Sequence, residues 1–205
     1  MDQIKNKINS NLFIALLTLT ILLALYLRIH VVLHTDVIAP IRADAADYFT
    51  YAYNLRHSGI YSRSIPIDND GNPIVIKPDA VRSPGYPIFL TVFANAVPNP
   101  AILVNITLTQ AIISTLTVFL AFLLYQRFLP SFWAVSASLL TASSPHLINM
   151  NIYVLSETLF TFLCILTLLL FTLYHQQQKH FILFLASLAL GAATLTRPSL
   201  QFFIL

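Results

Sequence analysis

Five stretches of the chain are apolar almost without interruption, each near the ~20 residues that a helix needs to cross a bilayer. They cover residues 11–33, 101–125, 131–148, 153–174 and 181–196, the third being rather short. A sixth begins at Leu200 and stops at Leu205, which reads as truncation of a longer protein. The apolar runs are continuous, not alternating, so they are helices and not the strands of a barrel. Charged residues are 9% of the sequence and mean hydropathy is +0.76, against about 25% charge in soluble domains. The fold class is therefore an all-α polytopic membrane protein.

Lys5 and Lys7 precede the first run, as in a signal peptide. The run is longer than the ~7–15 residues of a signal core, and no small-residue cleavage site follows, so it reads as a retained anchor. Orientation follows from basic residues in short flanks. Lys5 and Lys7 lie before the first span, Arg127 between the second and third, and Lys179 between the fourth and fifth. The turn near residues 149–152 has none. A cytoplasmic N-terminus puts all of them on one side and the loop of residues 34–100 outside. The acids then segregate. Apart from Asp2, all lie on the outer face: Asp36, Asp44, Asp47, Asp68, Asp70 and Asp79 in the loop, and Glu157 at the outer end of the fourth span.

Within the loop, residues 45–56 predict a short helix with Asp44 as its N-cap. Tyr48, Tyr51, Ala52 and Leu55 form its apolar stripe, and Gly59 is its stop. Tyrosine-rich helices of this kind suit a membrane interface. Residues 67–74 carry hairpin chemistry at Asp70-Gly71. Residues 84–97 open with proline and are too short to span, which predicts a second interfacial helix.

Asp44 and Asp47 are three apart and share a helix face with Tyr48. One carboxylate can act as general base toward a hydroxyl, or the two can hold a divalent cation; the structural alternative is a cap beside a solvated charge. Arg82 can grip a phosphate with its planar fork, or snorkel beside an interfacial helix. Glu157, in L-S-E-T-L-F, is costly at the edge of an uncharged span and needs water, a cation or an arginine. Arg197, in L-T-R-P-S, lies at the next outer boundary and can pair with Glu157, bind phosphate or simply mark that boundary. Arg28, near the outer end of the first span, can snorkel.

Other features are uninformative. The charge of +3 is small and dispersed and gives no case for nucleic acid. Cys164 is a single packing thiol, and Asn105-Ile106-Thr107 matches a glycosylation sequon inside a span. His30, His34, His57, His146, His175 and His180 show no ligand spacing. Nucleotide-binding loops, nucleophile elbows and H-E-x-x-H are missing from the sequence.

In combination, D-A-A-D-Y-F-T-Y-A-Y-N-L, R-S-P-G-Y-P-I-F-L, L-S-E-T-L-F and T-R-P stand in the order of a known family. The chain resembles the N-terminal half of polytopic GT-C glycosyltransferases, in the bacterial branch related to protein O-mannosyltransferases and lipid A aminoarabinose transferases. The resemblance implies a bacterial inner-membrane enzyme with its active site outside. A polyprenyl-phosphate-linked sugar would be the donor, and a glycan, lipid or protein hydroxyl the acceptor, among membrane lipids. Asp44, in D-x-x-x-Y with Tyr48, matches the family's catalytic acid. Arg82 matches the basic residue at the lipid phosphate, Tyr86 the aromatic after it, and Glu157 the second acid. Asp47, Tyr48, Arg82, Tyr86, Glu157 and Arg197 thus form the substrate-binding set. Many relatives carry Asp-Glu where this chain has Asp44-Ala45, leaving Asp47 to compensate. A divalent cation on Asp44, Asp47 and Glu157 is an open alternative. The competing function is a non-enzymatic membrane protein, such as a lipid-carrier transporter or an assembly subunit. A transport path needs polar residues at mid-membrane depth, and the spans read as almost free of them.

Overall fold

A computed structural model describes residues 2–65 and 75–200, with the backbone alone for residues 2–10. The hairpin expected at residues 67–74 and the start of a sixth span beyond Leu200 lie outside the described residues. The described residues are helical, with no strand among them. Eight α-helices follow in order: α1 (Asp2–His34), α2 (Asp44–Ser58), α3 (Gly85–Leu90), α4 (Pro100–Tyr125), α5 (Ser131–Ala142), α6 (Pro145–Asn149), α7 (Glu157–Gln177) and α8 (His180–Thr196). Three are long and apolar enough to cross a membrane, at Asn11–His34, Pro100–Tyr125 and Glu157–Gln177, while Ser131–Ala142 and His180–Thr196 are shorter apolar helices.

The bundle is organised around α4, which packs against α1, α5 and α7, while α8 lies along α7. The buried face of α4 runs through Ile106, Gln110, Ala111, Ser114, Thr117, Val118 and Ala121. Small and hydroxyl side chains at helical spacing let neighbouring backbones approach where lipid removes the usual hydrophobic drive. Asn99 starts the helix by accepting from the Ile102 amide at 3.0 Å, with Pro100 at the first helical position.

The apolar run at residues 131–148 is broken. Helix α5 ends at Ala142, and Pro145 opens the separate α6. Proline lacks the amide needed to continue a ladder, and it bends the residue before it out of the helical region; Ser144 is extended there, at φ −61° and ψ 116°.

Two loop helices sit on one end of the bundle. Ala45, Phe49 and Ala52 of α2 form one apolar cluster with Tyr86, Leu90, Ile106 and Val154. The tyrosine stripe is therefore partly turned inward, with Tyr51 fully buried. Gly59 closes α2 in the left-handed region at φ 67°, its amide bonded to the Leu55 carbonyl at 3.2 Å. Helix α3 stops at Leu90, short of the expected residue 97, and a last turn closes with the Ala94 amide on the Leu90 carbonyl at 3.1 Å. Pro98, and Asn99 as the start of α4, close off any continuation beyond residue 97.

Candidate functional site

The N-terminus of α2 differs from the cap expected there. Ala43, at φ 48°, takes the N-cap position, and Asp44 is the first helical residue, with no side-chain cap bond. Its carboxylate is thereby available to another partner. Arg82 supplies one, donating from Nη2 to Asp44 Oδ1 at 2.6 Å and from Nε to Asp47 Oδ2 at 2.9 Å. The three-residue spacing on α2 makes this possible, because both carboxylates project from one face. The guanidinium also lies 5.8 Å from the centre of the Tyr48 ring. The hydrogen bond to Asp47, burial working against it and the charge of Asp44 leave the Arg82 pKa raised. The place between Asp44 and Asp47 that a divalent cation would take is thus held by a guanidinium. Among the described residues, no group of three His, Cys, Asp or Glu side chains is arranged to hold a metal.

The chain segment that presents Arg82 is itself tied to α2. The buried Tyr51 hydroxyl donates to the Asp79 carboxylate and accepts from the Val81 amide at 3.1 Å. Asp79 also accepts from the Arg63 amide at 3.0 Å and the Ser62 hydroxyl at 3.3 Å. Tyr61 stacks on Tyr51 and donates to the Arg82 carbonyl at 2.8 Å. Hydrogen bonds, first that from Tyr51, hold the Asp79 carboxyl below the ordinary carboxylate range. Burial, with the Asp79 bond, pushes the Tyr51 phenol up, and burial pushes the Tyr61 phenol up as well.

A second ion pair joins Glu157, the first residue of α7, to Arg197 at the end of α8, at 2.9 Å. Arg197 lies 5.8 Å from the Phe160 ring centre. Glu157 Oε2 is buried and has no hydrogen-bond partner among the described residues.

Gly85 and Tyr86 connect the two pairs. A Cβ on Gly85 would stand 2.7 Å from the Thr196 backbone nitrogen and 2.8 Å from the Leu195 carbonyl carbon. Glycine thus lets the R-S-P-G-Y-P loop rest directly on the end of α8, beside Arg197. Tyr86 is fully buried, meets Tyr48 edge to face at 5.2 Å, and donates to Gln110 Oε1 at 2.5 Å. Burial pushes its phenol well up, with the negative charge of Glu157 adding to it. Asp44 borders one cavity, together with Arg42 and Tyr153, and Glu157 and Arg197 border another; Met150 lines both.

Every candidate from the sequence therefore falls into one of two clusters: Asp44, Asp47, Tyr48 and Arg82 in the loop, and Glu157 with Arg197 at the helix ends, with Tyr86 between. The sequence reading missed three elements. One is the Tyr51–Asp79 tie, whose trace in the sequence is a tyrosine on the inner face of α2. Another is Gln110 beneath Tyr86, an amide in an apolar run. The last is Arg28. It does not snorkel: it is fully buried, donating to Ser114 Oγ at 2.7 Å and to the Ala24 and Ala142 carbonyls at 3.0 Å each. Ala142 is the last residue of α5, so the arginine satisfies a carbonyl that the broken helix leaves open.

No curated protein and no solved structure matches the chain. Residues 82–205 match the family described as dolichyl-phosphate-mannose-protein mannosyltransferase. The matched part begins at Arg82 and takes in Tyr86, Glu157 and Arg197, while Asp44 and Asp47 precede it. With more than half its length matched, the chain belongs to the dolichyl-phosphate-mannose-protein mannosyltransferase family of membrane glycosyltransferases.

Proposed function

We propose that this protein transfers a sugar from a polyprenyl-phosphate donor to an acceptor hydroxyl on the outer face of a bacterial plasma membrane, its N-terminus being cytoplasmic. Asp44 takes the proton of the acceptor hydroxyl, whose oxygen attacks the anomeric carbon as the bond to phosphate breaks, with inversion. The prenyl phosphate departs with the electron pair. Arg82 stabilises the charge that gathers on it. A guanidinium has five N–H donors; Arg82 uses one on each carboxylate, which leaves the others for phosphate oxygens. Arg197 and Glu157 lie on the far side of Tyr86, and the apolar α3 region helps to seat the prenyl chain.

The observation that carries this reading is the fork of Arg82 held between two partly exposed carboxylates. It supports the reading because a carboxylate and a guanidinium stand in one cluster, presented by one helix and one loop. The test is Asp44→Asn, with sugar transfer from a labelled polyprenyl-phosphate donor measured in membranes that contain the protein at matched levels. General-base loss lowers turnover by about 10²–10⁴-fold. Turnover equal to wild type removes Asp44 from the chemistry.

One observation favours a lipid-carrier transporter as a second reading. Arg28, Gln110 and Ser114 are polar and buried within the bundle, where the sequence reading expected almost nothing polar. Their hydrogen bonds to each other's neighbourhood and to backbone carbonyls hold them in place, which ranks this reading second. Movement of a labelled lipid carrier by the reconstituted protein would reverse the order.

A further inference from the structure

Gln110 is fully buried on α4, and its amide has partners on two sides. Its Oε1 accepts from the Tyr86 hydroxyl at 2.5 Å. Its Nε2 donates to the Tyr153 carbonyl at 2.8 Å and to the Asn151 carbonyl at 3.3 Å. These partners fix the orientation of the amide. Turned over, it would set its oxygen against two carbonyl oxygens, neither of which can donate. A buried amide inside an apolar span is costly unless its groups are paired, and here both ends of it are.

The two sides lead to one cavity. Asn151 and Tyr153 belong to the link between α6 and α7, a single 3₁₀ turn over Met150–Ile152 followed by an extended Tyr153. Met150, Tyr153 and Leu155 of this link line the same cavity as Asp44. Among the described residues, the hydrogen bonds from α4 to the link both come from Gln110 Nε2. On the other side, Tyr86 meets the Tyr48 ring edge to face at 5.2 Å, and that ring lies 5.8 Å from the Arg82 guanidinium. Tyr48 stands on α2 with Asp44. Tyr86 has further support, from Phe89 at 5.7 Å and from the apolar cluster it shares with α2, so the link depends more on Gln110 than Tyr86 does. We propose that Gln110 is a positioning residue: it holds the link of residues 150–155 where an acceptor hydroxyl in the cavity is kept against the Asp44 carboxylate. The inference rests on Asp44 as the base and adds the residue that sets another wall of its cavity. Alignment matters there, because a displacement of about 1 Å between reacting groups can lower a rate about 100-fold.

The test is Gln110→Leu in the full chain in nanodiscs, read by sugar transfer from a labelled polyprenyl-phosphate donor and by hydrogen exchange of the Leu155 amide, which donates to the Tyr153 carbonyl at 2.9 Å. Gln110→Leu lowers kcat about 10–100-fold, leaves the donor KM within about twofold, and speeds exchange at Leu155. In an Asp44→Asn background the same substitution changes the residual turnover by about twofold or less, because the group that it aligns is gone. Tyr86→Phe spares both bonds to the link and leaves Leu155 exchange at the wild-type rate. If Gln110→Leu does not fold, Gln110→Asn, whose amide is one methylene too short to reach both sides, takes its place with the same expectations. Wild-type kcat or wild-type Leu155 exchange in the Gln110 variant, or an equal proportional loss of turnover with and without Asp44, overturns the inference. Wild-type turnover in Asp44→Asn alone removes the base instead, and Leu155 exchange then decides separately whether Gln110 holds the link.

Discussion

Two arginines of this protein occupy opposite environments. Arg82 stands at the surface, about one third exposed, between two carboxylates. Arg28 is sealed between α1, α4 and α5, and its partners among the described residues are a hydroxyl and two carbonyls. Exposed ion pairs exchange readily with water and with other anions, and contribute little to stability, about 0.2–1 kcal/mol. A buried cation held by neutral dipoles cannot be released without leaving those dipoles, and itself, unsatisfied. The first arrangement leaves the cation free to exchange partners, as the proposed binding of a phosphate requires. The second is that of a joint in the scaffold, pinning the first helix to the end of a broken one.

The comparison breaks if the two arginines respond alike to substitution. Arg28→Ala is expected to cost about 3–5 kcal/mol, from the cavity left behind and from three lost hydrogen bonds to a charged group. Thermal unfolding in detergent should show a large fall in the midpoint. Arg82→Ala should move the same midpoint little, within about 1 kcal/mol, yet reduce sugar transfer strongly. Equal losses of stability would mean that Arg82 is structural too, and would weaken its assignment to the phosphate.

Gly85 sharpens the comparison, because it fixes where the Arg82 loop meets the bundle. Gly85→Ala would press a methyl group against the backbone of Thr196 and Leu195. Neither can rotate away as a side chain does, so the loop or the end of α8 must shift. Overpacking of this kind costs about 1–3 kcal/mol. The expected signature is a moderate loss of stability together with a larger loss of transfer, since Arg82 and Arg197 move apart. Hydrogen exchange of the Arg197 amide, bonded to the Ala193 carbonyl at 2.9 Å, should rise in the variant; exchange equal to wild type would show that the seam does not join the two clusters.

Much of this was legible in the sequence. Continuous apolar runs announce membrane helices because lipid cannot satisfy an open backbone. The acids and arginines that cluster were visible as departures from that background. What could not be seen was pairing across distance. Asp44 reads as a cap from its neighbours, and only the loop 38 residues away shows that Arg82 claims it instead. Arg28 reads as snorkelling because it lies near the end of a span; the break at Pro145, which leaves a carbonyl open beside it, lies in another helix. The same limit hid the polar face of α4. Its glutamine, serine and threonines are scattered among apolar residues, and gather only when the neighbouring helices are packed around them.

The smallest expected effect concerns the tie that holds the Arg82 segment. Asp79 titrates below its ordinary value in the folded chain, through hydrogen bonds led by that from Tyr51. The unfolded chain therefore binds the proton first as pH falls. Stability contributed by Asp79 is complete above the unfolded value near pH 4, and is lost as pH drops through the lower folded value. At the alkaline end, Tyr51 and Tyr61 have raised values, so their contribution is complete below about pH 10 and declines as pH rises above it. Hydrogen exchange of the Arg63 and Val81 amides, both bonded to Asp79 or Tyr51, should report the loss locally. After correction for intrinsic exchange, protection should fall from pH 5 to pH 3 in wild type. In Asp79→Asn it should already be low and flat over that range. A wild-type profile as flat as that of the variant would mean that the Asp79 carboxylate does not hold this segment, and that Arg82 depends for its position on its own two acids alone.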